Sequence, residues 1–169
     1  AETVTLNVTD VDENAPILTA GQTLSYAENQ IAGAVVGTVA ASDDVGVTGF
    51  RFAATGTSNS LDGYYSIAAN GQISITAAGV AADLAGNDFE IGLNSFTYGV
   101  QASDAAGNWS AAETVTLSLT DVDENAPSVA AGQTFSYSEN QGVGSVVGTV
   151  VAADDVGVTN YRFATTGTG

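Results

Sequence analysis

The sequence has no cysteine, histidine or methionine among its 169 residues, and these absences remove several kinds of chemistry at once. Without cysteine the chain has no disulfide and no thiolate metal site. Without histidine the usual Ser-His-Asp and Cys-His catalytic arrangements are excluded, and zinc and copper lose their usual ligands. Any metal that binds here must therefore be held by oxygen atoms.

Positive charge is almost absent as well. Arg51 and Arg162 are the only basic residues against 19 acidic ones, and the formal net charge is −17. Such a chain repels phosphate groups, which excludes a basic surface for nucleic acid and binding to anionic membranes. No apolar run approaches the roughly 20 residues that cross a bilayer. The partners that this charge attracts are cations.

The remaining composition predicts a folded β protein. Apolar residues make up 44% of the chain and charged residues only 12%, whereas an acidic disordered chain is poor in apolar residues. Valine, isoleucine, threonine, phenylalanine and tyrosine are plentiful, and these residues favour strands. The sequence therefore predicts an all-β fold with an apolar core.

A long internal repeat organises the chain. Residues 1–15 read AETVTLNVTDVDENA, and residues 112–126 read AETVTLSLTDVDENA, with the match continuing to the end of the sequence. A period near 111 residues indicates a tandem array of whole domains. The proline-ended segment DVDENAP marks each boundary. We expect the last strand of one repeat with its linker at 1–16, a complete repeat at 17–127, and the first part of the next at 128–169, all within a longer protein.

Apolar residues in the complete repeat recur at every second position, which is typical of half-buried strands. The clearest examples alternate through Phe96–Ala102 and Val115–Leu119, and further strands are predicted at 22–27, 34–41, 50–55, 64–68 and 72–76. Asn70-Gly71 predicts a tight turn between two of them. We expect a seven-stranded antiparallel Greek-key sandwich of the immunoglobulin type, with a helical turn or long loop in 77–93.

The carboxylates are grouped in short sequence motifs, here called phrases, and are not scattered over the sequence. The linker Asp10–Pro16 carries three of them with an amide, and Asp43-Asp44 follows a predicted strand. Asp88 and Glu90 form a further pair. Carboxylate, amide and carbonyl oxygens are the ligands of calcium, and close carboxylates repel by roughly 1–4 kcal/mol a pair unless neutralised.

These phrases resemble cadherin repeats, especially the cadherin-like domains of large bacterial surface adhesins. The family's DxNDNAP linker is similar to DVDENAP here, and its glutamate after the first strand corresponds to Glu28 and Glu139. Its LDRE phrase corresponds to Asp88-Phe89-Glu90, and its A-x-D before the last strand to Asp104. The family's D-x-D corresponds to the adjacent pair Asp43 and Asp44, so which of the two takes which role stays open.

The resemblance implies about three calcium ions at each junction between repeats. For the first junction it implies the ligands Asp10, the Val11 carbonyl, Asp12, Glu13, Asn14, Asp43, Asp44 and Asp104. For the second junction it implies Glu28, Asp88, Glu90, Asp121, the Val122 carbonyl, Asp123, Glu124, Asn125, Asp154 and Asp155. When Glu139 is counted for the following junction, all but four of the acidic residues fall on such positions, the exceptions being Glu2, Asp62, Asp83 and Glu113.

Competing interpretations explain less. A solvated acidic surface would not repeat its phrases, and an EF-hand loop starting at Asp10 would place Ala15 where glycine is needed. Asp88 with Glu90 could be a glycosidase pair, but any acid-rich chain offers such pairs. Trp109, Tyr64 and Tyr65 could stack on sugar rings, although isolated aromatic residues usually pack.

The expected function is therefore mechanical and not enzymatic. We expect a calcium-rigidified spacer repeat of a secreted or cell-surface adhesin, which holds a distal binding region away from the cell and contacts the adjacent repeats of its own chain. The alternative is a cadherin-like recognition module that binds polysaccharide or another copy of itself.

Overall fold

The computed structural model describes residues 1–9, 11–82 and 87–164 and divides into two units. Unit 1 is Ala1–Asp121, and unit 2 is Val122–Gly169. The strands of unit 1 are β1 (Ile17–Leu18), β2 (Gln22–Ala27), β3 (Val35–Thr38), β4 (Ala41–Ser42), β5 (Val47–Phe52), β6 (Tyr65–Ile67), β7 (Gln72–Ile75), β8 (Ser95–Asp104) and β9 (Glu113–Thr120), with one helix, α1 (Ala77–Ala81), between β7 and β8. Unit 2 contains β10 (Ser128–Val129) and β11 (Ala152–Ala153).

Unit 1 is a β-sandwich, as the apolar alternation predicted. One sheet has four strands in the order β2-β9-β8-β5, and the other has three in the order β3-β7-β6. Alternate residues of β8 and β9 face inward, so that Val100, Val115 and Leu117 are completely buried. They pack with the aromatic and branched side chains of the smaller sheet, such as Tyr65 and Ile73. The predicted fold class is confirmed.

One pairing in the larger sheet is parallel. β2 and β9 run in the same direction, with Gln22 opposite Val115 and Ala27 opposite Thr120. This is the arrangement expected of a tandem repeat, because the chain enters at one end of the sandwich and leaves at the other. Strands β2 and β9 therefore finish at the same end of the sandwich.

Several strand ends differ from the predicted ones. The region 34–41 is divided into β3 and β4, because Gln22 bonds to the backbone between them: Ala40 N donates to Gln22 Oε1 at 2.7 Å. The residues after Phe52 turn back instead of continuing β5, and Gly56 N donates to Phe52 O. Helix α1 lies within the predicted region 77–93 and begins after Thr76, whose hydroxyl accepts from Gly79 N at 3.1 Å.

The predicted turn at Asn70-Gly71 joins β6 to β7. Gly71 alone of the pair has a positive φ, of 82°, and its N–H donates to Ala68 O. A Cβ at Gly71 would lie 2.8 Å from Val39 O, so both backbone conformation and space require glycine here.

Unit 2 repeats the local structure of strands β1 and β4 in unit 1. β10 pairs with β11 in the register of β1 with β4, Ser128 facing Ala153 as Ile17 faces Ser42. Gln133 makes the same bonds as Gln22, since its Oε1 accepts from Val151 N at 2.7 Å. Equal sequence therefore gives equal local geometry in both copies.

Residues 1–9 match β9 in sequence but form no strand. Val4, Leu6 and Val8 are 80, 89 and 98% exposed, whereas their counterparts in β9 are buried. Within unit 1 the neighbours that such a strand needs, β2 and β8, are already paired with β9. Among the described residues no helix is long and apolar enough to span a membrane.

Candidate metal centre

Strand pairing brings the linker and the Asp43-Asp44 phrase together. β1 follows directly on the linker, β4 immediately precedes Asp43, and Ile17 of β1 pairs with Ser42 of β4. The residues just before β1 and just after β4 therefore lie side by side at the end where the chain enters the sandwich. Two phrases that are distant in sequence meet because a short antiparallel ladder aligns their ends.

An acidic group forms at this place. One carboxylate oxygen from each of Asp12, Asp43 and Asp44 lies within 4.8 Å of the others. The linker residue Asn14 is fixed to the same group, because its Nδ2 donates to Asp44 Oδ2 at 2.9 Å. A cleft lined by Asn14, Asp43 and Asp44 opens beside them. We name these four residues the first acidic centre.

Asp43 tests whether a cation fits this centre. Its Oδ2 accepts from Val45 N at 3.2 Å and from Gly46 N at 2.9 Å. Its Oδ1 is buried, and the described part of the chain offers it no hydrogen bond. A buried carboxylate oxygen without a donor, facing two further carboxylates, is unfavourable. A cation that binds oxygen would give the buried Asp43 oxygen a partner and would neutralise the repulsion among the carboxylates. The residues present therefore fit such a cation.

Asp104 lies at the end of β8, and its carboxylate accepts hydrogen bonds from the loop that follows the strand. Its Oδ1 accepts from Gly107 N at 2.7 Å and from Asn108 N at 2.9 Å, and its Oδ2 accepts from Asn108 Nδ2 at 2.9 Å. Burial raises the pKa of the Asp104 carboxyl, but these hydrogen bonds outweigh burial and hold that pKa below its ordinary value. Asp104 is therefore an anion stabilised by its own loop and stands apart from the three clustered carboxylates.

Unit 2 builds a second acidic centre from Asp123, Asn125, Asp154 and Asp155. One oxygen from each of the three carboxylates again lies within 4.8 Å of the others, and Asn125 Nδ2 donates to Asp155 Oδ2 at 2.7 Å. Asp154 Oδ1 is buried and accepts no hydrogen bond from any described residue. The arrangement of the first centre therefore occurs twice.

The negative charges of the second acidic centre repel one another. Burial, and then the negative charges of Asp123 and Asp155, raise the pKa of Asp154. The hydrogen bond from Asn125 in contrast lowers the pKa of Asp155. One aspartate thus resists ionisation while its neighbour is held ionised, which is the response of carboxylates crowded together without a counter-charge.

A different acidic pair lies at the end where β2 and β9 finish. Glu28 follows β2 and is only 2% exposed, and its Oε2 accepts from Phe89 N at 2.6 Å. An oxygen of Glu90 lies within 4.8 Å of an oxygen of Glu28. Asp88 instead closes a local turn, since its Oδ1 accepts from Glu90 N at 3.2 Å. Because β9 leads directly into Asp121, this pair lies where the chain leaves the sandwich.

The other predicted ligands lie in the two DVDENAP linkers. Asp10 is outside the described residues. The remaining side chains are exposed, namely Val11, Glu13, Asp121, Val122 and Glu124. For Val11 and Val122 the resemblance implied only the backbone carbonyl, so side-chain exposure is compatible with that role.

Two asparagines were not among the predicted site residues. Asn108 bonds to Asp104 and to the linker, and Asn87 Oδ1 accepts from Gln30 N at 2.7 Å just after Glu28. Both follow glycine in the phrase AGN, at 85–87 and 106–108. That repeated phrase beside an acidic residue was the available signal.

The aromatic residues are arranged mainly for packing. Tyr65 is completely buried and packs edge-on against Tyr26 and Tyr98, so it offers no surface for a sugar. Trp109 is 37% exposed, and the guanidinium carbon of Arg51 lies 3.7 Å from the centre of its ring. Arg51 therefore lies on the outer face, held by the Trp109 ring and by a hydrogen bond from its Nε to Gln101 Oε1 at 3.0 Å.

Several solved structures of cadherin domains are similar to this chain. Human protocadherin-24 EC1-2 matches with a TM-score of 0.51 at 21% identity, over 86% of this chain and 61% of that chain. Domains 3-6 of protocadherin gamma B2 match with a TM-score of 0.52 at 23% identity, over 89% and 37%. The protocadherin gammaB7 EC3-6 cis-dimer structure matches with 0.51 at 23%, over 90% and 38%.

These likenesses establish the fold. This chain spans less than two thirds of the length of each of the three structures. No protein-family model matches the sequence, and no curated protein matches it significantly. The sandwich with its parallel strands β2 and β9 is therefore a cadherin-like fold.

Proposed function

We propose that this chain is part of a calcium-stiffened array of cadherin-like repeats in an adhesion protein. The observation that carries the proposal is the acidic centre built twice from equivalent residues. In each copy one aspartate oxygen, Asp43 Oδ1 or Asp154 Oδ1, is buried without a hydrogen bond from any described residue. A feature that is costly by itself and is repeated with the domain is best explained by a cation that binds there.

Calcium is the cation that suits these ligands. The centres offer carboxylates, an amide and nearby backbone carbonyls, which are hard oxygen donors. Calcium accepts six to eight such ligands in flexible geometry, whereas magnesium demands a near-ideal octahedron and keeps several waters. Extracellular calcium is high enough to fill sites of moderate affinity. When bound, the ion would supply positive charge to carboxylates that otherwise repel one another.

The proposed complete site joins one repeat to the next. Glu28 and Glu90 lie where the chain leaves a sandwich, and each acidic centre lies where the chain enters one. We propose that, in an array, the leaving end of one repeat, the DVDENAP linker and the entering end of the next supply ligands to the same ions. Three ions would nearly balance the ligand charge that the cadherin resemblance implies.

The resulting role is that of an extender. Ions bound at each junction restrain the linker, so that successive sandwiches form a stiff rod. We propose that the rod lies outside the cell, belongs to a large surface adhesin, and carries a distal binding region without catalysing a reaction itself. Binding only to the ordered junction would also stabilise the repeats by mass action.

Calcium titration of the full chain tests the proposal. Asp43→Asn and Asp154→Asn together preserve the shape of both side chains while removing one charge from each centre. We expect affinity to fall by about tenfold or more, because a charged ligand is lost at each site. Calorimetry measures the affinity, and Glu2→Gln is the matched control because Glu2 is exposed and outside the centres.

Thermal unfolding separates a metal ligand from an ordinary surface charge. In chelator the double variant should unfold at a higher temperature than the wild type, because like-charge repulsion is relieved. In calcium the order should reverse, because the wild type gains more binding energy. Unchanged calcium affinity in the double variant, or an equal loss in Glu2→Gln, would contradict the proposal.

Recognition of polysaccharide is the second candidate function. The partly exposed Arg51–Trp109 stack favours it, since an aromatic face beside a cation suits an acidic sugar. A cleft of about 360 Å³ between Phe52, Leu61, Asp62 and Tyr98 offers a second place for a small ligand. A glycan array probed with the wild type and with Trp109→Ala distinguishes this role, because an extender shows no binding that depends on Trp109.

A further inference from the structure

The side-chain amide of Asn108 is surrounded by oxygens from two separate segments. Its Nδ2 donates to Asp104 Oδ2 at 2.9 Å, to the Asp12 carbonyl at 3.2 Å and to the Asn14 carbonyl at 3.4 Å. Two hydrogens are thus shared among three acceptors, one of them a carboxylate. An amide nitrogen has only two hydrogens to offer, whereas a calcium ion accepts six to eight oxygens.

The loop that carries Asn108 is itself well fixed. Asp104 N donates to the Asn108 carbonyl at 3.3 Å, while Asp104 Oδ1 accepts from Gly107 N and Asn108 N. Gly107 has a φ of 92°, which lets the loop close tightly. Asp104 is 4% exposed, and its backbone belongs to β8. One side of the contact is therefore anchored in the sandwich, and the other side is the linker.

We propose that Asn108 fastens the linker to the repeat that follows it without any metal, its amide hydrogens taking the place of a cation. The consequence for calcium rests on the function proposed above. Because Asp12 and Asn14 belong both to this contact and to the first acidic centre, the amide presets that centre before an ion arrives. Preorganisation of this kind raises affinity by reducing the ordering that binding requires. Asn108 is thus a positioning residue.

Linker order in chelator tests the proposal on the full chain. The probe is the {1H}-15N heteronuclear NOE of residues 11–15, with the amides of β8 and β9 as internal references. In the wild type the linker should be as rigid as the strands without calcium. In Asn108→Ala the linker NOE should fall while the strand values stay unchanged, because the bonds to the linker carbonyls are lost.

Asn108→Asp provides the sharper comparison. An aspartate cannot donate to the linker carbonyls, so the linker should be mobile in chelator, but its carboxylate supplies a new calcium ligand. Adding calcium should therefore restore linker order in Asn108→Asp more fully than in Asn108→Ala. Asn59→Asp is the matched control, because it adds the same charge at an exposed loop residue and should leave the linker ordered throughout.

The outcomes separate the two proposals. A wild-type linker that is mobile in chelator, or a linker that stays rigid in Asn108→Ala, would overturn the role of Asn108. Calcium affinity at Asp43 and Asp44, followed by their amide shifts, should fall several-fold in Asn108→Ala, while affinity at Asp154 and Asp155 stays constant. A linker that loosens as expected in a chain that binds no calcium would overturn only the proposed function.

Discussion

At the scale of single residues, burial controls the ionisation of three tyrosine hydroxyls in unit 1. In unit 1 the hydroxyls of Tyr26 and Tyr65 lie 2.5 Å apart, and the hydroxyl of Tyr98 donates to Asp62 Oδ2 at 2.7 Å. Burial is the largest cause that raises the pKa of each of these three tyrosines. The native state therefore keeps these protons at a pH where an unfolded chain would release them.

This difference predicts a loss of stability in alkali. Tyrosine in an unfolded chain has a pKa near 10, so above that pH the unfolded state binds fewer protons than the native state. Stability consequently falls as pH rises beyond 10 towards the raised pKa values of the native tyrosines. We expect the buried tyrosines to ionise only together with unfolding, as followed by tyrosinate absorbance and circular dichroism in chelator.

The variant Tyr65→Phe checks this assignment. It removes one titrating group from the buried cluster, so its stability should decline less steeply with pH than that of the wild type. Ionisation of every tyrosine near its ordinary pKa, with no loss of β structure, would show that the cluster is not closed to solvent as the structure has it.

At the residue scale, the sequence gives the clearest signal where charge alone carries it. The phrases containing Asp12, Asp43 and Asp154 stand out because carboxylates are costly to cluster. Asn108 was missed because a neutral amide in a loop has no such cost, and its role depends on which backbone carbonyls the fold brings within reach. Those carbonyls lie more than 90 residues away in sequence.

At the scale of strands, identical residues at equivalent repeat positions have opposite environments. Leu117 in β9 is completely buried, whereas Leu6, at the same place in the first copy of the phrase, is 89% exposed. Leu117→Ala should cost about 2–5 kcal/mol of unfolding free energy, because it leaves a cavity between the sheets. Leu6→Ala should change stability by less than about 0.5 kcal/mol.

Urea unfolding measures this contrast, and the pair of variants controls for residue type and local sequence together. Equal destabilisation by both changes would mean that residues 2–9 pack into a core in solution. A negligible effect of Leu117→Ala would contradict the burial on which the sandwich depends.

Strand prediction was best where the pattern is local. The bounds of β2 are those predicted. Its alternation runs without interruption from Gly21 to the bend that begins at Glu28. The two-residue strand β1 was not predicted, and β4 was predicted only as the end of a longer strand at 34–41, since a short ladder is defined by its partner and leaves no periodicity. The parallel pairing of β2 with β9 likewise follows from the path of the whole chain.

At the scale of the molecule, the repeated phrase determines more than the repeated fold. The glutamine bonds, the short ladder and the acidic centre recur at equivalent positions in unit 1 and unit 2. Each centre is formed by residues that are close to a linker, so its ligands are assembled by the start of each repeat. Whether successive repeats share ions is a property of the array and stays a prediction.

Small-angle X-ray scattering of two joined copies of residues 17–127 tests the stiffening most directly. In millimolar calcium we predict a longer maximum dimension and a narrow distribution of separations between the two sandwiches. In chelator the same protein should give a broad distribution, since carboxylates of the preceding sandwich and of the linker repel one another when no ion joins them. Superimposable scattering curves in calcium and in chelator, at calcium concentrations that saturate the acidic centres, would contradict the account.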